Sequence, residues 1–249
     1  ENFGTDPSDI SVSFNGTPAE FELVDESTIV ATTPADYQTG SVTVTIHGYT
    51  MTGGAMFNPN SKGDVTVLYL QNYKQPFAKA NDESWKNGEW WTPAVWNQNA
   101  ASFNAKGNTT VSGMQYKSEE GLTLAFQNGW DKEAYTNGKM WQVATLRPGK
   151  YRLEVTYAYT LVVTDAGNFI SVLIAKGDSE SDIPNVADLE QLNGVYVAYD
   201  KMGTANDSGT LVTPSFEVTE TTDVVIGFLT SLAKGNSYFK VTELKLILE

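Results

Sequence analysis

Val143-Ala144-Thr145-Leu146-Arg147-Pro148-Gly149-Lys150-Tyr151-Arg152-Leu153-Glu154-Val155 places two runs of alternating apolar and polar residues on either side of a Pro-Gly pair. Alternation of period two buries one face of a strand and wets the other. Proline presets φ at the first corner of a turn and glycine accepts a positive φ at the second. The stretch therefore predicts a hairpin closed by a type II turn. The same pattern extends outward through residues 122 to 126, 141 to 146, 151 to 159, 169 to 175, 195 to 199, 215 to 218, 223 to 229 and 238 to 248. A second hairpin is expected from residues 216 to 228, leading into a closing strand. Residues 65 to 69 read as the first strand of this set, and only residues 186 to 192 suggest a short helix.

The first sixty residues alternate in the same manner, in Ser11-Val12-Ser13-Phe14, Phe21-Glu22-Leu23-Val24, Thr28-Ile29-Val30-Ala31 and Val42-Thr43-Val44-Thr45-Ile46. Asn15-Gly16 and His47-Gly48 are hairpin pairs able to take positive φ, and Pro34 with Gly40 brackets a loop. Short strands at this spacing predict an antiparallel sandwich.

Asn2-Phe3-Gly4, Val12-Ser13-Phe14-Asn15-Gly16, the run from Thr28 to Pro34 and the run from Gly40 to Thr45 resemble the IPT/TIG family of immunoglobulin-like domains. The resemblance covers residues 1–57. In that family a further strand or two precedes the Asn-Phe-Gly position, so the resemblance implies a domain whose start is missing here and whose edge is exposed or supplied otherwise. Asn58-Pro59-Asn60-Ser61-Lys62-Gly63-Asp64 combines polarity with Pro and Gly and is expected to be a linker over 58–64.

The remainder, 65–249, with its Leu-x-Pro-Gly-x-Tyr turn and closing Val241-Thr242-Glu243-Leu244-Lys245-Leu246 strand, resembles the galactose-binding-like jelly rolls of carbohydrate-binding modules. It is also similar to a C-terminal domain of unknown function in surface lipoproteins of glycan-degrading gut bacteria, where IPT/TIG modules often precede it. The fold class expected is all-β, a truncated immunoglobulin-like sandwich followed by a larger jelly-roll sandwich. The resemblance implies an exported protein at the cell surface or outer membrane, held by a lipid anchor upstream and working with transporter components in glycan uptake.

Composition narrows the classes of partner. The 249 residues carry 16 Lys plus Arg against 30 Asp plus Glu, a formal charge of −14. That charge repels phosphate backbones and anionic lipid, which disfavours nucleic acid and direct membrane-surface binding. An apolar fraction of 41% with 12% aromatics supplies enough buried surface to offset the entropy of ordering. With no cysteine there is no disulfide framework, thiolate metal site or cysteine nucleophile. The longest apolar run, residues 224 to 229, falls far short of the ~20 residues of a membrane-spanning helix.

The most unusual local feature is residues 81 to 99, which hold Trp85, Trp90, Trp91 and Trp96, four of the six tryptophans. Asn87, Glu89 and Asn97 lie among them. Sugars present apolar C–H faces and in-plane hydroxyls, so rings that stack beside amides and carboxylates that hydrogen-bond match them chemically. A long loop of this kind needs a reason. The same rings could instead plug the end of a sandwich, with Trp96 the first candidate because its Trp-Asn pair is similar to a recurrent pattern of the resembled family. A second cluster, Asn128 with Trp130 and Asp131, follows the strand at residues 122 to 126 and would join the first if both lie at one end. Trp141 is expected in the core.

Catalysis has little support. The one histidine, His47, sits in a turn of the first module, and neither a phosphate loop nor a His-Glu-x-x-His helix is present. The sequence is expected to be non-enzymatic, with no cofactor, although Asp178-Ser179-Glu180-Ser181-Asp182 and Asp165 with Asn168 offer oxygen ligands suited to a structural calcium. The function expected is glycan binding; the alternative is a structural or protein-adhesion module, since tryptophans also anchor protein interfaces.

Overall fold

In the computed structural model, residues 3–58, 61–80, 90–103, 112–128, 134–162, 167–203, 207–233 and 237–249 are described. The chain divides into two compact units, residues 1–68 with Leu248 and residues 69–247 with Glu249.

The first unit contains β1 (Ile10–Phe14), β2 (Thr17–Ala19), β3 (Phe21–Asp25), β4 (Thr28–Ala31), β5 (Gly40–Ile46) and β6 (Tyr49–Met56). They form an antiparallel sheet in the order β2-β1-β5-β6 and a separate β3-β4 hairpin. Ile10, Val12 and Phe14 alternate into the core, where Phe14 meets the Tyr37 ring edge-on at 5.9 Å. Both two-residue turns form where the sequence predicts them. Asn15 and Gly16 have φ of 47° and 85°, and His47 and Gly48 have 47° and 81°, the left-handed pairs that match strand twist.

Asn58 and Ser61, expected in a linker, are buried on the first unit's Thr39. The Asn58 N–H donates to Thr39 Oγ1 at 2.8 Å, and Thr39 N–H donates to Ser61 Oγ at 3.1 Å. Then come β7 (Gly63–Asp64) and a helical turn, α1 (Thr66–Tyr69). This turn corrects the strand expected over 65–69. The Asp64 carboxylate accepts from the Thr66 N–H at 2.9 Å, a local bond that competes with extended backbone.

The second unit contains β8 (Trp90–Trp91), β9 (Asn97–Gln98), α2 (Ala100–Phe103), β10 (Ser112–Lys117), β11 (Gly121–Asn128), β12 (Tyr135–Leu146), β13 (Gly149–Tyr157), β14 (Phe169–Lys176), α3 (Leu189–Leu192), β15 (Val197–Lys201), β16 (Gly209–Val212), β17 (Phe216–Val218), β18 (Thr222–Leu232) and β19 (Ser237–Leu248). The larger sheet runs β16-β13-β19-β11-β10-β8, with β17 also on β13; the smaller runs β15-β14-β18-β12-β9. From β11 to β14 each strand lies in the sheet opposite the one before it, and β17, β18 and β19 alternate likewise. This is a jelly-roll type of winding, and the protein is nearly all β.

The alternation corrects both expected hairpins. β12 pairs with β18 and β9, whereas β13 pairs with β16 and β17, so Arg147-Pro148 carries the chain from one sheet to the other. Gly149 is not among the residues with positive φ, so the turn is not type II. The Tyr151 hydroxyl donates to the Arg147 carbonyl at 2.9 Å and pins the corner. Likewise β17 lies on β13 while β18 lies between β12 and β14.

The space between the sheets is aromatic. Phe228 of β18 meets Phe126 of β11 at 4.9 Å, Trp96 at 5.7 Å and Phe239 of β19 at 6.3 Å between ring centroids. The outer face of the smaller sheet is covered as well. Trp141, Leu173, Val225 and Leu229 pack there with Ile183 and Leu189 of the long β14-β15 connection. Lys139 Nζ ties that connection down by donating to the carbonyls of Ile183 at 2.6 Å and Glu180 at 3.2 Å. Burial lowers this amine below the usual lysine range, an effect that the Glu180 charge opposes.

Gly227 makes room for Trp141, its ladder partner. A Cβ there would stand 2.1 Å from the Met140 carbonyl oxygen and 2.8 Å from Trp141 Cα, both backbone atoms. Gly227→Ala is expected to lower the free energy of unfolding by about 2 kcal/mol or more in urea denaturation, the scale of an overpacked core.

Candidate functional site

Strand register sorts the sequence candidates. Trp96 is 5% exposed, packs on Phe228 and donates its indole N–H to the Asn72 carbonyl at 3.0 Å. It is a core plug and not a stacking platform. Trp90 is 3% exposed, opposite Gln115, and no face of its ring is open to a sugar. Asn128 is fully buried, with its amide donating to the Leu232 carbonyl at 3.2 Å across the sandwich. These three assignments are corrected because each side chain lies beneath the surface. Trp91 is half-buried, with Lys79 Nζ 6.0 Å from its ring, and Asn97 is exposed on β9. Trp85, Asn87, Glu89, Trp130 and Asp131 lie outside the described residues. Trp90 stands beside Gln115, which pairs with Thr123, while Asn128 lies five residues farther along β11. Trp90 and Asn128 are therefore about 20 Å apart, two strands across and five residues along.

Trp141 is buried, as expected. His47 is exposed and pairs through Nδ1 with Asp9 Oδ2 at 3.0 Å.

The register brings a different set together, on the outer face of the larger sheet. Leu124 and Phe126 point into the sandwich, so Thr123, Ala125 and Gln127 point out. The same alternation puts Gln115 of β10 and Tyr238 and Lys240 of β19 on that face. Thr123 faces Gln115, Ala125 faces Lys240, and Gln127 faces Tyr238. Glu120, in the turn between β10 and β11, forms an ion pair with Lys240 Nζ. The Tyr238 ring lies 5.4 Å from the same ammonium.

Two polar atoms on this face lack partners. Gln115 Oε1 and Thr123 Oγ1 make no hydrogen bond, and with Gln115 3% exposed and Thr123 fully buried both atoms are enclosed. An unpaired buried polar group costs about 1–3 kcal/mol, and such atoms are few in native proteins. Here two of them sit directly opposite each other.

The neighbouring backbone is strained. Ala158 N–H donates to the Lys240 carbonyl at 3.0 Å, Lys240 N–H donates to Thr160 Oγ1 at 3.1 Å, and Leu161 exchanges bonds with Tyr238 at 2.8 and 2.9 Å. Tyr159 is looped out between these contacts with φ of 51° and is exposed. A bulky residue in the left-handed region costs about 1–3 kcal/mol, and bulges of this kind cluster beside functional sites. The sequence signals this site weakly. Small and polar residues at alternate positions of a strand look the same on any solvated face, and the Gly113 and Gln115 of β10 dilute its apolar pattern.

The acidic stretch proposed for calcium is engaged otherwise. Asp182 Oδ2 accepts from the Ser179 hydroxyl at 2.6 Å and from the N–H groups of Ser179 and Asp178, each at 3.0 Å. Glu180 Oε1 accepts from Asn99 Nδ2 at 3.3 Å. Asp165 lies outside the described residues, among which no group of three or more His, Cys, Asp or Glu could hold a metal.

The model of the family described as IPT/TIG domain matches residues 1–61, and that of the family described as Domain of unknown function (DUF5013) matches residues 71–227. No curated protein matches the chain. Among solved structures the chain is similar to a Bacteroides thetaiotaomicron protein provisionally described as a glycoside hydrolase, at 12% identity and TM-score 0.43, covering 97% of this chain and 84% of that one. It is similar to TmCBM61 in complex with β-1,4-galactotriose at 11% identity and TM-score 0.32, over 72% of this chain and 92% of that one. A structure of carbohydrate-binding modules of the β-sandwich superfamily is similar at 10% identity and TM-score 0.36, over 96% and 84%. At these values the likenesses place no binding residue.

The Ser179 hydroxyl, and then the two N–H groups, hold the Asp182 carboxyl below its usual range against the opposing effect of burial. A carboxyl lowered on folding contributes stability above its unfolded value, about 3.9, and that stability is lost as pH falls through the lower folded value. Asp182→Ala is therefore expected to cost about 0.5–2 kcal/mol at pH 7, the scale of a lost cap. The difference from the parent should shrink toward pH 2 in urea melts.

Proposed function

The chain belongs to the family described as Domain of unknown function (DUF5013), and from its own geometry we propose that it is a non-catalytic carbohydrate-binding protein whose binding face is the outer side of the larger sheet. The observation that carries this is the half-buried Tyr238 ring on that face, directly opposite the half-buried Gln127 and beside the Lys240–Glu120 pair. A half-buried tyrosine offers an apolar face with a polar tip, and the Gln127 amide and Glu120 carboxylate on the same face offer hydrogen bonds of the kind that fix a sugar ring.

Glycoside hydrolysis uses a facing pair of carboxyl groups, and the Glu120 carboxylate on this face is engaged in an ion pair with Lys240 Nζ. On this proposal the sugar is held and not cleaved. It extends to an exported protein at the outer surface of the cell, anchored by lipid and serving a glycan-uptake system. That extension is supported by the resemblance that the sequence carries and by a charge of −14, which keeps the chain off nucleic acid and anionic lipid.

Affinity electrophoresis against a panel of soluble polysaccharides, with the full chain and Tyr238→Ala, tests the proposal. The parent is expected to be retarded by at least one polysaccharide and the variant to bind at least about tenfold more weakly, ~1.4 kcal/mol. Retardation unchanged by Tyr238→Ala moves the binding face elsewhere. A parent that migrates freely through every gel favours protein adhesion.

A further inference from the structure

We infer that Tyr159 is a second stacking platform beside Tyr238, so that the outer face takes a saccharide of two or more linked residues and not a single terminal sugar. This rests on the carbohydrate-binding proposal and adds to it a subsite and a ligand length. Leu161 and Tyr238 exchange both backbone hydrogen bonds, at 2.9 and 2.8 Å, and so stand directly opposite each other on one face. Tyr238 is in turn opposite Gln127 of β11. The three make one outward row, in which Gln127 and Tyr238 are half-buried and Leu161 is 43% exposed.

Tyr159 joins this row through the bulge. Tyr157 is buried against Phe239, and Val162, five residues farther on, is buried too. Strict alternation would put them on opposite faces. The extra residue at Tyr159 puts both inside and leaves Leu161 outside. Tyr159 itself is 40% exposed, so its ring stands clear of the core. Residues two places along and one strand across are about 7–8 Å apart, within reach of each other for aromatic side chains. A pyranose is the size of one phenol ring, so a sugar lying on Tyr238 leaves Tyr159 for the next residue of its chain.

Stability does not account for a tyrosine here. Glycine or asparagine takes a φ of 51° with less strain, and either would serve the bulge. The conformation is instead fixed from both sides. Ala158 N–H donates to the Lys240 carbonyl and Thr160 N–H to the Asp207 carbonyl, each at 3.0 Å, while Thr160 Oγ1 accepts from the Lys240 N–H at 3.1 Å. A tyrosine has only two side-chain torsions, so a ring on a clamped backbone loses little freedom when a ligand lies on it. The same bonds decide against strand addition by a peptide, which needs a free sheet edge. Here Tyr238 is paired with both Leu161 and Gln127, and Thr160 with Asp207. What stays open is two phenol rings, a leucine and an amide, a match for the apolar faces and hydroxyls of a sugar chain.

Calorimetric titration of the full chain, Tyr159→Asn and Tyr159→Phe with mono-, di- and tetrasaccharides of glucose, galactose, mannose and xylose, alongside thermal melts, tests the inference. The parent is expected to bind at least one tetrasaccharide about tenfold or more tighter than its monosaccharide, the scale of one further stacked ring. Tyr159→Asn should keep or raise the melting temperature and lose about tenfold in tetrasaccharide affinity, while Tyr159→Phe stays within about twofold of the parent. Tetrasaccharide binding that Tyr159→Asn leaves unchanged overturns the inference, and overturns it alone where Tyr238→Ala weakens that binding. A monosaccharide bound as tightly as the tetrasaccharide also overturns it, as does Tyr159→Phe binding as weakly as Tyr159→Asn. A marked fall in the melting temperature of Tyr159→Asn makes the ring structural packing and has the same force. A folded parent that binds nothing in this panel overturns the inference, and with free migration through every gel it overturns the carbohydrate proposal as well.

Discussion

The contact of Phe228 with Phe126 and Phe239 holds the second unit together. Phe228 comes from the smaller sheet and the other two from adjacent strands of the larger, with centroids 4.9 to 6.3 Å apart. Each ring buries about 150–250 Å², and their tilted and edge-on arrangements add about 0.5–1.5 kcal/mol a pair. Trp96 seals one side of the cluster and Tyr157 meets Phe239 at 5.5 Å on another. Once these rings point inward, the period of two leaves no choice for their neighbours. Ala125, Gln127, Tyr238 and Lys240 must face outward, because a strand cannot turn one side chain without turning the rest. The polar face is thus the reverse side of the aromatic core.

That dependence explains what the sequence makes legible. Asn15-Gly16 and His47-Gly48 are readable because their chemistry is local: a two-residue turn needs left-handed φ, and those residues supply it. Residues 122 to 126 and 238 to 248 are readable because large apolar side chains on the core side alternate with smaller or polar ones on the other. Arg147-Pro148-Gly149 is misleading because two alternating runs around a turn look alike whether they pair with each other or part to opposite sheets. What decides is the partner strand, and the partners β18 and β16 lie some 60 to 80 residues away along the chain.

The tryptophans show the same limit from the functional side. Sequence picks out Trp85, Trp90, Trp91 and Trp96 as a group by density, yet Trp96 points into the aromatic core and Trp90 is enclosed beside Gln115. Density in sequence says nothing of which ring is wet. Gln115 and Thr123, in contrast, stand eight residues apart with nothing unusual around them, and become notable only when pairing faces them and burial strips them of water. A fold gathers chemistry by register, and register is the quantity a single sequence states least directly.

The central claim is that the outer face of the larger sheet carries the ligand. Backbone amide shifts of the isotopically labelled chain, followed by NMR as a neutral oligosaccharide is added, test it most directly. Movement concentrated at Gln127, Tyr238 and Lys240, with the amides of the first unit still, is the predicted result. Movement elsewhere in the chain, with the outer face unchanged, would contradict the account.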